Sequence, residues 1–430
     1  MLQSKVAARV VGPLATRGYA SVASSAPVVS TANGIKIAAV DGAPDSPLAS
    51  ISLVIKAGSR FETAETAGAA HYLKAFGFRN TQDRTSFRTI REAELNGATL
   101  TAEATRENIT YRVQCFKEAV PYFVQVLAEV ATATKFAEHE FRDVAKVVAL
   151  ESLSARSDPA TLALGGVHQA AFRSGLGNSL YAPAASPVAT GDAVRQYAQG
   201  ALTGGRVAVV ATGVDADTLA KLVGESGLAE LPGAAAAETA GMAAAFTGGA
   251  QQVYESASPV AHYALAFGCE PRSAHALGSL LGTQRRLKWS GGVSALSRLA
   301  AAEGFRTEAF SFAYSDAGLV GVLVSAPSAQ IKGAVEKVAA TIQKDVAGAA
   351  PDAIQRAAAA TAVDVADVLA TQKGQLRALG AIALGQSAAA LEAVDAAALA
   401  SAAKTVFKSK PVAAAVGLSQ TTAYVDTLGF

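Results

Sequence analysis

The hydrophobic positions of the chain predict β-strands that occur in matching pairs, one in each half. An alternating segment at 51–55 ends before Gly58, and a similar segment at 263–267 ends at Gly268, 210 residues later. Each half also closes on an apolar strand that runs to a glycine (206–210 to Gly213, and 410–414 to Gly417). Two pairs of similar segments, in the same order and at similar spacing, indicate an internal duplication of domains of roughly 200 residues.

A β-hairpin and two helices are predicted inside the first half. Residues 100–105 and 109–116 flank the turn at 106–108, and the second segment alternates apolar with polar residues. Helical spacing of apolar residues follows in two segments: Val120, Phe123, Val124 and Leu127, then Phe141, Val144 and Val148. Strands followed by helices in both halves favour an α+β fold of two homologous domains, each a mainly antiparallel sheet packed with helices.

A stretch rich in glycine and alanine at 224–249 has sparse apolar periodicity, which is typical of a linker. It divides the chain into an N-terminal domain at 20–223 and a C-terminal domain at 250–430. The length of 430 residues agrees with two domains, because it exceeds what one hydrophobic core usually serves. Two domains joined in this way can close on each other like a clamshell.

The first forty residues have the composition of a mitochondrial presequence. They contain no acidic residue, the first being Asp41, and they carry basic residues among many serines and alanines. Four apolar residues recur every fourth position and would line one helix face (Leu2, Val6, Val10 and Leu14). The run at 17–21 resembles a matrix cleavage signal, so we expect residues 1–19 to be removed and the mature chain to begin at Ala20.

Composition excludes several other classes of protein. A formal charge of +2, without clusters of basic and aromatic residues, argues against nucleic-acid binding. Cys115 and Cys269 are too few and too far apart for a disulfide framework or a zinc ribbon. The chain also lacks the cysteine set and paired axial ligands of a redox centre, so we expect no cofactor. No apolar run is long enough to predict a transmembrane segment.

The segment after the first strand carries the residues on which the chemistry depends. Its sequence at 71–75 is HYLKA, where an inverted-zincin peptidase has H-x-x-E-H. In that motif the two histidines bind zinc from one helix face, and the glutamate polarises the attacking water. Here His71 keeps the first ligand position, but Lys74 occupies the position of the glutamate and Ala75 that of the second histidine. Neither can perform the role of the residue it replaces.

This segment identifies the chain as a member of the pitrilysin and mitochondrial processing peptidase family. Active relatives take a third zinc ligand, a glutamate, from a later helix, and Glu151 lies close to the corresponding place. It continues the helical stripe of Phe141 and Val148, but periodicity does not determine the rotation of the helix. Glu151 is therefore either a relic of that ligand or an exposed edge residue. The resemblance predicts no catalytic residue, no metal site and no peptidase activity.

Three further segments resemble the non-catalytic core proteins of mitochondrial ubiquinol–cytochrome c reductase. They are TRENITY at 105–111, NSLY at 178–181 followed by Pro183, and YSDAGL at 314–319 with Gly321. The resemblance implies a structural subunit that supports assembly on the matrix side of the inner membrane, peripheral to the membrane. It implies core protein 1 as the partner, together with the other subunits of the complex.

Two alternatives within the same family remain open. The first is the non-catalytic, presequence-binding α subunit of the mitochondrial processing peptidase, which has a longer glycine-rich loop than the GGVSA sequence at 291–295. Val293 removes the backbone freedom that a third glycine would give. The second is core protein 1 itself.

The four other histidines have no metal-ligand spacing, and we expect surface or hydrogen-bonded core positions for them (His139, His168, His262 and His275).

Overall fold

The computed structural model describes residues 28–31, 33–41, 45–233, 243–282, 292–386 and 394–430. The predicted presequence at 1–19 lies outside the described residues, as do Ala20, the middle of the predicted linker at 234–242, and Gly291.

The described strands form two sheets, one in each half of the chain. The first sheet contains β1 (Val28–Ser30), β2 (Lys36–Val40), β3 (Leu48–Ile55), β4 (Thr99–Ala104), β5 (Ile109–Phe116) and β6 (Val207–Thr212). The second contains β7 (Gln251–Glu255), β8 (Val260–Cys269), β9 (Arg306–Ala313), β10 (Gly318–Pro327) and β11 (Val412–Gly417). All the strands that the hydrophobic pattern predicts are present, and the hairpin is β4–β5.

Helices cover the sheets and lie in chain order between the strands. In the first half they are α1 (Ala69–Ala75), α2 (Ser86–Leu95), α3 (Val120–Thr132), α4 (Glu138–Ser157), α5 (Pro159–Phe172), α6 (Gly191–Ala201) and α7 (Ala216–Gly224). In the second half they are α8 (Pro271–Leu281), α9 (Ala295–Glu303), α10 (Ile331–Thr341), α11 (Pro351–Ala370), α12 (Gln372–Ala383) and α13 (Ala396–Val406). Among the described helices, none is long and apolar enough to cross a membrane.

The two sheets share one topology, which confirms the predicted α+β fold. Their orders are β1-β2-β6-β3-β5-β4 and β7-β11-β8-β10-β9, so that β2 corresponds to β7, β3 to β8 and β6 to β11. Only β2–β6 and β7–β11 pair in parallel among the described strands, and the remaining pairs are antiparallel. The equivalent strands follow the spacing of the glycines in the sequence, as an internal duplication requires.

One helix from each half packs against the sheet of the other half. Helix α5 packs its buried Ala163 and Val167 against Ala264 and Ala414 of the second sheet. Helix α12 packs Leu379, which is fully buried, with Ala208 and the other apolar residues on the corresponding face of the first sheet. The two halves therefore share two apolar clusters in addition to their separate cores.

Part of the predicted linker packs with the first half. Residues Gly227–Glu230 form a 3₁₀ helix, and Leu228 and Leu231 are buried in the first core. At the other end, Phe246 packs against the cluster between α5 and the second sheet. Apolar side chains anchor the chain at both ends of 224–249, so a glycine- and alanine-rich composition does not make the whole segment a free connection.

Candidate functional site

Helix α1 carries the degenerate motif, and its start is fixed by close packing. Gly68 has φ of 93°, a left-handed conformation that disfavours side chains, and an added Cβ would lie 2.8 Å from Cβ of Ala182. The carboxylate of Glu62 accepts hydrogen bonds from the backbone N–H of Gly68 at 3.0 Å and of Ala70 at 2.8 Å. These bonds satisfy amides at the start of the helix, where intrahelical acceptors are missing.

His71 and Lys74 lie on the same face of α1 and meet Glu151 of α4. Glu151 Oε2 is 2.6 Å from Nε2 of His71 and 2.6 Å from Nζ of Lys74. The side chain of His71 is 2% exposed, that of Lys74 20% and that of Glu151 38%. The rotation of α4 thus brings the side chain of Glu151 to the histidine. Ala75 is next on the helix and contributes only a methyl group.

The hydrogen bonds of His71 determine which ring nitrogen carries the proton. The backbone N–H of Ala182 donates to Nδ1 at 3.2 Å, so Nδ1 acts as an acceptor. In the neutral ring the proton then lies on Nε2, which donates to Glu151. A metal ion would need the lone pair of one of these nitrogens. In this arrangement Nδ1 already accepts one hydrogen bond and Nε2 is protonated.

The electrostatics of the cluster agree with this assignment. Burial lowers the pKa of His71, and the ammonium of Lys74 acts in the same direction, which favours the neutral ring. Burial tends to raise the pKa of Glu151, but the hydrogen bonds from Lys74 and His71 outweigh burial and hold that pKa below its ordinary value. The cluster is therefore a neutral histidine and a lysine–glutamate ion pair.

These residues do not fit a zinc ion. A zinc peptidase supplies three protein ligands and a base for the bound water. Here His71 and Glu151 are joined by a hydrogen bond, and Lys74 places a positive charge where a dication would be repelled. Within the part of the chain that the structure describes, no group of three or more His, Cys, Asp or Glu side chains could hold a metal ion.

The other histidines lie apart from this cluster. Nδ1 of His168 lies 2.6 Å from the carbonyl of Leu164, and Nε2 lies 2.8 Å from the hydroxyl of Tyr314. His262 Nδ1 and His275 Nδ1 each lie near a serine hydroxyl, at 2.9 and 3.4 Å, and His139 is exposed on α4.

Sequence reasoning missed two residues of the site, Glu62 and Ala182. The half-buried position of Glu62 and its pKa, which desolvation raises to about 7, follow from tertiary packing rather than from any local signal. Tyr181 adds an edge-to-face ring contact with His71, with ring centroids 5.5 Å apart. The NSLY segment at 178–181 could have pointed to this loop, but not to the histidine that it contacts.

Comparison with known proteins places this site within a family. Residues 38–184 match the model of Insulinase (Peptidase family M16), a range that includes all four motif positions. The chain is similar to cytochrome b-c1 complex subunit 2, mitochondrial, of Cryptococcus neoformans, at 34% identity over 93% of this chain and 94% of the relative. The corresponding protein of Yarrowia lipolytica is 35% identical over 96% of this chain and 100% of the relative.

One partial match is to a protein of a different name. It is a probable mitochondrial-processing peptidase subunit alpha-2 of Arabidopsis thaliana, 34% identical over 46% of this chain and 40% of the relative. The matches over nearly the whole length are the informative ones, since they cover both halves of the duplicated fold. The chain belongs to the family of mitochondrial cytochrome b-c1 complex subunit 2 proteins, which share the fold of the peptidase family M16.

Proposed function

We propose that this chain is a structural core subunit of the mitochondrial cytochrome b-c1 complex, core protein 2 in the older nomenclature, without peptidase activity. The observation that carries the proposal is the similarity to subunit 2 proteins over more than nine tenths of the chain. The matching relatives bear the name of a subunit of this complex, and the similarity extends through both domains.

The absence of peptidase activity follows from the chemistry of the motif. Lys74 cannot polarise a water molecule as the missing glutamate would, and Ala75 offers no lone pair. The hydrogen bond between His71 and Glu151 leaves the two remaining candidate ligands bound to each other. Zinc binding should therefore be negligible, and cleavage of presequence peptides should be absent.

The proposal extends to the place of the chain in the cell. A presequence at 1–19 would direct the chain to the matrix, and assembly would hold it on the matrix side of the inner membrane through other subunits. Core protein 1 is the proposed partner. The domains proposed for the mature chain are 20–223 and 250–430.

Purification of a tagged chain from its own mitochondria tests the proposed assembly. Haem-bearing subunits and a second core protein should copurify in stoichiometric amounts. Copurification of a single partner with an intact H-x-x-E-H motif would instead favour the α subunit of the processing peptidase. The partial match to a probable processing peptidase α subunit supports this alternative.

Metal analysis and a cleavage assay test the proposed lack of activity separately. Purified chain should contain no stoichiometric zinc and should not cleave a presequence peptide that an active processing peptidase cleaves in parallel. The variant K74E/A75H restores the H-x-x-E-H sequence at 71–75 and should be assayed beside the natural chain. It should remain inactive because His71 still receives the N–H of Ala182 at Nδ1. Stoichiometric zinc or specific cleavage by the natural chain would overturn this part of the proposal.

A further inference from the structure

An ionic network around the buried Arg60 joins the two halves beside the apolar cluster between α5 and the second sheet, against which Tyr314 and Ala317 pack. The guanidinium of Arg60 donates to Glu107 at 2.9 Å and to Oδ1 of Asp316 at 2.7 Å, and its second terminal nitrogen bonds Oδ2 of Asp316. Its side chain is 5% exposed, against 12% for Glu107 and 36% for Asp316. Arg60 and Glu107 belong to the first half and Asp316 to the second, so the fork of the guanidinium spans the boundary between domains.

The hairpin turn that carries Asp316 makes additional contacts across this boundary. The hydroxyl of Ser315 donates to Glu107 at 2.5 Å, and its backbone N–H lies 3.2 Å from the same carboxylate. Asp316 also accepts the backbone N–H of Ala244 at 3.0 Å. Burial opposes the charge on Arg60, but the two acids outweigh burial and raise its pKa. The network thus pairs a buried guanidinium with one largely buried and one partly exposed carboxylate.

A second chain of hydrogen bonds runs beside the first. Arg106 lies 3.5 Å from the hydroxyl of Tyr314, which lies 2.8 Å from Nε2 of His168. His168 donates from Nδ1 to the carbonyl of Leu164 at 2.6 Å. Burial, reinforced by Arg106, lowers the pKa of His168 to about 3, so the ring is neutral and its Nε2 accepts from Tyr314. The turn at 314–316 is therefore bound at each of its three residues.

The segment that carries Arg60 also leads to the degenerate site. The backbone N–H of Arg60 donates to the carbonyl of Arg106 at 2.8 Å, and Gly58 lies so close to that carbonyl that no side chain fits. Two residues after Arg60, Glu62 accepts the N–H groups at the start of α1. Loss of the Arg60 contacts would therefore loosen Glu62 and, through it, the helix that bears His71.

We propose that Arg60, Glu107 and Asp316 form an interdomain latch that holds the two halves in one relative orientation and orients helix α1 from the other domain. A merely local role would stabilise only the hairpin turn at 314–317. A latch instead couples that turn to residues 59–62 and to α1. Among the described residues of the second half, none makes a hydrogen bond or ion pair with α1 directly.

Hydrogen exchange of the full chain, followed by mass spectrometry, distinguishes these roles. The substitution Asp316→Asn keeps the shape of the side chain and removes its charge. Exchange should rise about tenfold or more at 314–317 and also at 59–62 and 69–75, because charged hydrogen bonds of this kind are lost. The matched control is Asp192→Asn, which removes an exposed acid paired with Arg195 within the first half and should change none of these segments.

Three results would overturn the latch. They are a rise confined to 314–317, no rise at all, and an equal rise in every segment including β6, which would mean a general loss of stability. If Asp316→Asn does not fold, Ser315→Ala removes one hydroxyl from the same network and should give a smaller change with the same two-sided pattern. Arg60→Lys should produce a rise of its own and add little in the Asp316→Asn background, since both changes break one interaction. Additive effects would contradict a shared contact.

Discussion

Replacing Lys74 with methionine tests whether its ammonium stabilises the degenerate site. Nζ of Lys74 lies 2.6 Å from Oε2 of Glu151, and the side chains are 20% and 38% exposed. Hydrogen bonds to charged groups contribute about 1.5–3 kcal/mol, whereas exposed ion pairs contribute about 0–1 kcal/mol. The partial exposure of this pair places the expected loss at about 1–2 kcal/mol. Methionine retains a long apolar stem, so the loss reports on the charge rather than on packing.

Chemical denaturation over a range of pH measures this loss. Because the folded-state pKa of Glu151 is lowered, its stabilisation is present above the ordinary glutamate value of 4.5 and disappears as the pH falls through the folded-state pKa. The difference in unfolding free energy between the natural chain and Lys74→Met should therefore be largest near neutral pH and should narrow on acidification. The matched control is Lys146→Met on α4, whose side chain is 75% exposed and which should cost little.

The reasoning fails if Lys74→Met is no more destabilising than Lys146→Met at neutral pH. It also fails if the difference does not depend on pH, because the ammonium would then act through packing alone. An increase in stability would mean that the cost of burying the pair exceeds its attraction, as is known for some buried ion pairs.

Three other predictions concern the shared interface, the start of α1 and the terminus. Leu379→Ala should cost about 2–5 kcal/mol, measured by denaturation, and should raise exchange in β6 of the other half, whereas Leu153→Ala at an exposed site should not. Burial raises the pKa of Glu62 to about 7, so the free energy of unfolding should fall as the pH rises from 4.5 through 7 and the carboxyl group ionises. The variant Glu62→Gln should lose this pH dependence, which denaturation at a series of pH values measures. Amino-terminal sequencing of protein from mitochondria should find Ala20 first, and a retained Met1 would contradict import by this route.

Local elements could be predicted from the sequence because their causes are local. The alternation at 109–116 places Ile109, Tyr111 and Val113 on the buried face of β5. The similar spacing of the glycines correctly indicated two copies of one topology, since each copy needs the same turns after the same strands. The first core and its helices follow from these patterns.

The exchange of helices between the halves could not be predicted. Periodicity identifies the apolar face of α5 or α12 but carries no information about which sheet will cover it. Gly166 shows the difficulty, because a glycine inside a helix is expected to destabilise it. In the structure an added Cβ would lie 2.7 Å from the ring of Tyr254, so the glycine permits α5 to pack closely against the second half. The same limit applied to Glu151, whose direction depends on how α4 rotates against α1.

The side chain of Lys74 balances the charge of Glu151 beside helix α1. A carboxylate at position 151, beside a neutral histidine and partly removed from water, would be destabilised without a nearby positive charge. In a zinc peptidase the metal supplies that charge. Here the ammonium of Lys74 supplies it from the place of the water-activating glutamate, 2.6 Å from the carboxylate. The ammonium of Lys74 therefore balances the charge of Glu151, and helix α1 can keep its packing without a metal ion.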